Sequence, residues 1–262
     1  MVLLPLIIFA LGLLIGSFLN VVILRMNTGR SVVVGRSKCV RCNRELAWYE
    51  LIPVFSFLGL RGKCRTCRVE ISFQYPVVEL ITSLIFMIAY SRILIPGGFS
   101  ATSWLYFAFA VVISAMMIVI TVYDVRHKII PDTVVLPFIL LSFGVLVYKV
   151  LTGHISFWPA ILGGTLVALP LFLLWYFSKG KAMGFGDVKL MLGIGWLLGL
   201  SKGFSVLVLA FWIGGVVGLF LLASSKKYGM KSEVPFGPFI IIALCIVGYF
   251  GVTLSTLFPV WH

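Results

Sequence analysis

Eight stretches of mainly apolar residues decide what this chain can fold into: 2–24, 76–94, 103–123, 133–150, 158–177, 184–200, 203–223 and 236–258. A helix needs ~20 apolar residues to cross the hydrocarbon layer. Backbone polar groups in lipid must be satisfied within the segment, which favours helices. Ordinary soluble domains are about half apolar, whereas 61% of these 262 residues are hydrophobic and 11% are charged. The pattern predicts an all-α, polytopic membrane bundle of about eight transmembrane helices. The first stretch has neither a basic n-region nor a small-x-small cleavage site, so it reads as a retained span and not a signal peptide. The sixth is the weakest. Its clearly apolar part, Val188 to Leu200, is 13 residues and reaches only ~20 Å. Either the Gly-rich stretch before it also lies below the membrane surface, or the element is partly re-entrant.

Charge sets the orientation. Of the 21 Lys and Arg, 18 fall in 25–75, 124–132, 178–189 and 224–235, and Arg92, Lys149 and Lys202 fall on the opposite side. Cytoplasmic loops carry the excess of Lys and Arg, so those four segments are expected to face the cytoplasm and both termini to face out. The net charge of +13 is then a topology signal. Basic residues spread over four loops do not form the single stripe that nucleic acid requires, so lipid is the expected partner and nucleic acid is not. Three regions follow: a first transmembrane helix at 1–24, a cytoplasmic cysteine-rich domain at 25–75, and a transmembrane bundle at 76–262.

The 25–75 segment holds Cys39 and Cys42, then Cys64 and Cys67, two C-x-x-C pairs separated by 21 residues. Four thiolates so spaced can close a tetrahedron around zinc, and a site closed by four cysteines has no open position for water, so its role is structural. Two disulfides or four ordinary thiols are the alternatives. The cytoplasmic placement disfavours the disulfides. Cys245 sits in an apolar span and reads as a packing residue.

The chain has only eight carboxylates. Glu45, Glu50 and Glu70 belong to the cysteine domain and Glu233 to a basic loop. Asp132 follows Pro131 at the start of a span and reads as a helix N-cap. Glu79, Asp124 and Asp187 remain at or inside membrane boundaries, where ionisable groups are costly and suggest function. Asp124 ends the third span and Asp187 closes Gly184-Phe185-Gly186-Asp187 at the start of the sixth. Both lie at cytoplasmic helix ends, at one depth, and are expected to meet across the bundle. Two carboxylates held close do not both ionise easily, which supplies a base to activate water and an acid for the leaving amine. The glycines around Asp187 allow a substrate strand to approach. A transporter with a proton-carrying Asp pair would use the same residues, although no repeated halves of the kind transporters show are visible.

Longer motifs run the length of the chain: Gly16-Ser17-Phe18-Leu19-Asn20-Val21-Val22, Trp48-Tyr49-Glu50-Leu51-Ile52-Pro53, Arg61-Gly62-Lys63-Cys64-Arg65-Thr66-Cys67 and Tyr75-Pro76-Val77-Val78-Glu79-Leu80. Asp124-Val125-Arg126-His127, Ile130-Pro131-Asp132, the glycine motif ending in Asp187 with Lys189, and Pro235-Phe236-Gly237-Pro238-Phe239 follow in order. In these the chain resembles the type IV prepilin peptidases, a two-aspartate intramembrane protease family. It departs from the family pattern at Glu50, where Asp is common, and at Met26-Asn27.

The resemblance implies a bacterial inner-membrane enzyme that cleaves the leader of prepilins and pseudopilins after Gly on the cytoplasmic side. It implies N-methylation of the new terminus with S-adenosylmethionine, Asp124 and Asp187 as catalytic residues, and the four cysteines as the zinc set. No Gly-rich Rossmann fingerprint marks the methyl donor's site. Gly62, Lys63 and Glu79 are its weak candidates, with a zinc-knuckle turn and a structural ion pair as their plainer roles. Asn20 is expected to satisfy a neighbouring polar group. A non-enzymatic secretion-system scaffold would need the cysteine domain but not both aspartates.

Overall fold

The computed structural model describes residues 3–224 and 234–257, so Glu233, most of the 224–235 loop and the outermost residues of the first and last spans lie outside the described residues. Among the described residues the fold is helical with no strand beyond two isolated bridges. The helices are α1 Leu3–Arg25, α2 Phe55–Gly59, α3 Gln74–Ala89, α4 Ala101–His127, α5 Asp132–Leu151, α6 Phe157–Ser178, α7 Phe185–Leu198, α8 Leu200–Ser224, α9 Gly237–Phe250 and α10 Leu254–Leu257. A π-turn, Tyr90–Leu94, extends α3. The chain forms two compact units, Met1–Val119 and Ile120–His262, and α4 runs from one into the other.

Six of these helices are long and apolar enough to cross a membrane: α1, α3 with its π-turn, α4, α5, α6 and α8. The sixth and eighth expected spans form as α7 and α9, each of 14 residues. The expected 236–258 span is shortened because Gly251, at φ 68°, closes α9 in a left-handed cap and the chain leaves the helix there.

In the first unit α1 and α3 pack antiparallel. Gly12 and Gly16 make close approach possible: a Cβ on Gly12 would stand 2.5 Å from Ser83 Cα, and one on Gly16 2.6 Å from Glu79 Cα. Small residues four apart let membrane helices approach backbone to backbone. Ser83 donates to Phe9 O at 2.8 Å, and the Asn20 amide bonds Gly16 O, Tyr75 O and the Gln74 side chain, as its buried position requires.

In the second unit α7 packs against α5, α6, α8 and α9. Leu190, Met191 and Ile194 are fully buried, so the middle of this short helix is packed in protein, which is how a helix too short to span is tolerated. The Lys149 ammonium donates to Leu197 O at 2.9 Å and satisfies one carbonyl at its C-terminus.

Candidate active site and cysteine centre

Asp124 lies in the last turn of α4 and Asp187 in the first turn of α7. Both belong to the second unit and both are buried, at 4% and 7% exposure. Ile130 stands beside both: it lies against Gly186, the neighbour of Asp187, and near the Gly237 backbone that bonds Asp124. Asp124 Oδ2 accepts the Gly237 N–H at 3.1 Å. Asp187 Oδ1 is buried and has no hydrogen-bond partner among the described residues. A buried carboxylate oxygen left unpaired is costly, and it is the kind of atom an active site leaves available for water or substrate.

Ile130, on the α4–α5 connection, fills the space between the two glycine motifs. A Cβ on Gly186 would lie 2.7 Å from Ile130 Cβ, and one on Gly237 would lie 3.6 Å from Ile130 Cδ1 and 2.7 Å from Asp124 Oδ2. The two glycines therefore let their backbones close on Ile130 and on the first carboxylate. Tyr123 stacks on His127 with ring centroids 4.2 Å apart, which steadies the turn that carries Asp124.

Asp132 differs from its expected role. Pro131, with extended backbone at ψ 123°, occupies the N-cap position of α5, so Asp132 falls one residue inside the helix and caps nothing. Its carboxylate instead binds the Lys189 ammonium at 2.8 and 3.0 Å, and Lys189 also lies 5.4 Å from the Phe185 ring centre. The pair ties the starts of α5 and α7 together beside Asp187.

The four cysteines converge in the first unit. Their sulfurs all lie within 4.8 Å of one another, and Cys39 Sγ and Cys67 Sγ are 3.7 Å apart. Zinc–sulfur bonds of ~2.3 Å in a tetrahedron separate the sulfurs by about 3.8 Å, so the cluster fits such an ion. Each C-x-x-C builds the same knuckle. Cys39 N–H donates to Arg44 O and Asn43 N–H to Cys39 O; Cys64 N–H donates to Val69 O and Arg68 N–H to Cys64 O. Asn43 and Arg68 are both left-handed, at φ 55° and 56°. Bridges Lys38 to Glu45 and Lys63 to Glu70 close the two loops. The sequence signal was a short repeat, Lys-Cys-x-x-Cys-x-x-Glu at 38–45 and 63–70, which a search for repeated halves misses.

The knuckles lower two of the thiols, whereas at Cys67, against the lowering pull of the Val69 N–H, burial and the neighbouring sulfurs push the thiol up to about 11. The Cys64 thiol is pushed down to about 6 by the backbone N–H groups of Cys67 and Thr66, and Cys39 is lowered by those of Cys42 and Arg41. Beside them the Arg44 guanidinium grips Glu50 at 2.7 and 3.0 Å, and the Ala47 N–H adds a third bond at 2.9 Å. Arg44 thereby holds Glu50 below the usual carboxylate range.

The three cofactor candidates flank α2. Gly62, at φ 67°, donates to Phe57 O and accepts from Ile71 N–H, while Lys63 is exposed in the second knuckle. Among the described residues Glu79 takes no ion pair; it accepts the Val54 N–H at 2.7 Å. A pocket of about 260 Å³ lies alongside, lined by Tyr49, Glu50, Ile52, Phe55, Ser56, Gly59 and Leu60. S-adenosylmethionine carries a sulfonium and an ammonium and seeks a free carboxylate. Glu50 is engaged by Arg44, so this pocket does not fit it.

Two buried aspartates at helix ends, in one chain with a four-cysteine cluster, are the arrangement expected of an intramembrane two-aspartate protein. Residues 10–93 match the bacterial peptidase A24 N-terminal domain and residues 111–219 the type IV leader peptidase family. Three relatives named prepilin leader peptidase/N-methyltransferase are similar over most of the chain. The Myxococcus xanthus protein is 35% identical across 86% of this chain and 65% of its own length. The Aeromonas hydrophila protein is 32% identical across 95% and 91%, and the Xanthomonas campestris protein 34% across 92% and 89%. No solved structure matches the chain. The chain belongs to the type IV leader peptidase family and is a multi-pass inner-membrane protein. The comparisons do not support the transporter alternative.

Proposed function

We propose that this chain cleaves the leader of type IV prepilins or pseudopilins, after Gly and at the cytoplasmic face of the membrane, with Asp124 and Asp187 as the catalytic pair. The observation that carries the reading is the two buried aspartates whose helix ends meet at Ile130, with one oxygen of Asp187 unpartnered among the described residues. One carboxylate, ionised, takes a proton from water as the oxygen adds to the scissile carbonyl carbon. The other, protonated, delivers its proton to the leaving nitrogen as the C–N bond breaks. Both termini face the periplasm in this topology, as the basic loops favour.

The substrate is a basic leader followed by an apolar helix, and it meets an enzyme that is itself basic. Glu50 is held by Arg44 and Glu79 by Val54, whereas Glu70 is exposed. Recognition therefore rests on the apolar helix and on the small Gly before the cut, and cleavage depends weakly on salt. The relatives' names include an N-methyltransferase, and methylation of the new N-terminus with S-adenosylmethionine is the second proposed activity. Zinc is the proposed metal of the cysteine centre, held by Cys39, Cys42, Cys64 and Cys67, where it closes the two knuckles and takes no part in cleavage. Lipid is the proposed surrounding partner, and nucleic acid has no place in the reading.

Purified protein incubated with a leader-bearing pilin peptide tests the cleavage. Asp124→Asn and Asp187→Asn, with thermal unfolding as the folding control, are each expected to lose about a thousandfold or more in rate. Appreciable cleavage by either folded variant removes that residue from the catalytic role.

A further inference from the structure

The connection between α1 and α3 does not stand wholly clear of the two helices but turns back alongside them at Val54. α1 ends at Arg25, whose guanidinium bonds Ser31 O, Val34 O and Arg36 O and so marks the water-facing end of that helix. Glu79 on α3 lies level with Gly16 on α1, nine residues before Arg25, which is ~13 Å along the helix axis. Glu79 Oε2 holds the Val54 N–H at 2.7 Å. Even with the reach of the Glu79 side chain, Val54 is drawn below the end of α1. The backbone there is a tight γ-turn. Val54 has φ 61° and ψ −51°, and Phe55 N–H donates to Pro53 O at 2.6 Å. A β-branched residue in that conformation is strained, and such strain persists only where the surroundings enforce it. Here the enforcing contact is the bond to Glu79.

The residues carried by this turn are apolar and outward. Trp48, Leu51, Ile52, Phe55 and Leu58 are exposed, Phe55 by 68% and Leu58 by 64%. Phe57 meets Phe73 at 5.3 Å, and exposed Phe73 leads directly into Val77, Leu80, Ile81 and Leu84, the outward face of the α3 span. The patch is thus continuous with the exposed apolar face of a helix long and apolar enough to cross a membrane. Arg61, Arg65 and Arg68 are exposed on the knuckle side, and the Arg65 guanidinium bonds the Tyr49 hydroxyl. Apolar residues inward with aromatic and cationic groups at the rim is the arrangement of an interfacial element.

We infer that residues 48–60 form a lipid-embedded element of the cytoplasmic leaflet, with Ile52, Phe55 and Leu58 among the acyl chains and Glu79 as its anchor. The inference rests on the membrane topology of α1 and α3 and not on the peptidase assignment.

Phe55→Trp and Leu58→Trp, each reconstituted as the full chain in lipid nanodiscs, test it, with Val33→Trp, at an 85% exposed site in the loop before the first knuckle, as the comparison. The emission added over wild type is measured with lipids brominated in their acyl chains and, separately, with aqueous iodide. At 55 and 58 the brominated lipids are expected to remove most of the added emission and iodide little of it, with the reverse at 33. Quenching at 55 and 58 by iodide alone would place the patch in water and overturn the inference. Protection from both quenchers would mean that protein covers it, and would overturn the inference equally.

Discussion

The Gly237 N–H reaches across 113 residues of sequence to donate to Asp124 Oδ2 at 3.1 Å. Only a residue without a Cβ fits there, because an added methyl would stand 2.7 Å from the oxygen it serves. Gly237 thus orients one carboxylate of the pair without needing to touch substrate. Gly237→Ala is expected to lower the turnover of leader peptide by about ten- to a hundredfold with KM little changed, since small misplacements of a reacting group cost that much. Gly248→Ala, on the same helix with open space where a Cβ would stand, is expected to leave the rate unchanged. Equal effects of the two would deny Gly237 its positioning role.

Asp132 offers the opposite expectation. It sits close to the candidate site in sequence and binds Lys189, but 58% of its side chain is exposed. Exposed pairs contribute about 0–1 kcal/mol. Asp132→Ala and Lys189→Met are expected to lower thermal stability slightly and to keep cleavage within a few-fold of wild type. A dead Asp132→Ala beside an active Asp124→Asn would mean that the catalytic carboxylate is Asp132.

Metal content checks the cysteine centre. Elemental analysis of purified protein is expected to find one zinc per chain, lost in the Cys39→Ser, Cys42→Ser double variant. Proteolysis within 26–73 is expected to accelerate in that variant while leader cleavage falls much less. Absence of metal together with four alkylatable thiols would refute the site.

The Arg44–Glu50 pair gives a pH dependence whose sign is fixed. Arg44 lowers Glu50 below its ordinary value of 4.5, so the folded domain prefers the ionised form. The stabilisation is complete above pH ~4.5 and is lost as pH falls through the lower, folded-state value. Hydrogen exchange of the cysteine domain is expected to accelerate on acidification below that point in wild type and to change less in Glu50→Gln. A wild-type domain equally protected across this range would show that the pair adds nothing.

What the sequence displayed was whatever repeats or is rare. Apolar runs mark the helices, two carboxylates stand out among eight, and paired cysteines announce a tetrahedral centre. What it concealed depends on distant approach. Nothing local in Pro235-Phe236-Gly237-Pro238-Phe239 names Asp124 as the acceptor of its N–H, and nothing in Ile130 announces that two glycines will close on it. Gly12 and Gly16 are visible as small residues, but their partners Ser83 and Glu79 emerge only when α1 and α3 meet. Asp132 was misplaced by one position because Pro131, in extended conformation, takes the cap itself.

The shortness of α7 has a consequence for hydrolysis within a bilayer. Its 14 residues rise ~21 Å in a hydrocarbon layer of ~30 Å, a shortfall of about 9 Å. Because α5, α6, α8 and α9 pack around it, the shortfall falls on protein and not on lipid. Asp187, in the first turn of that short helix, is buried and keeps one carboxylate oxygen without a partner among the described residues. Proteolysis needs both a stretched peptide and a water molecule, and a membrane ordinarily excludes the second. A central helix cut short and sheathed by other helices is what would let both reach Asp187 without breaching the surrounding apolar wall.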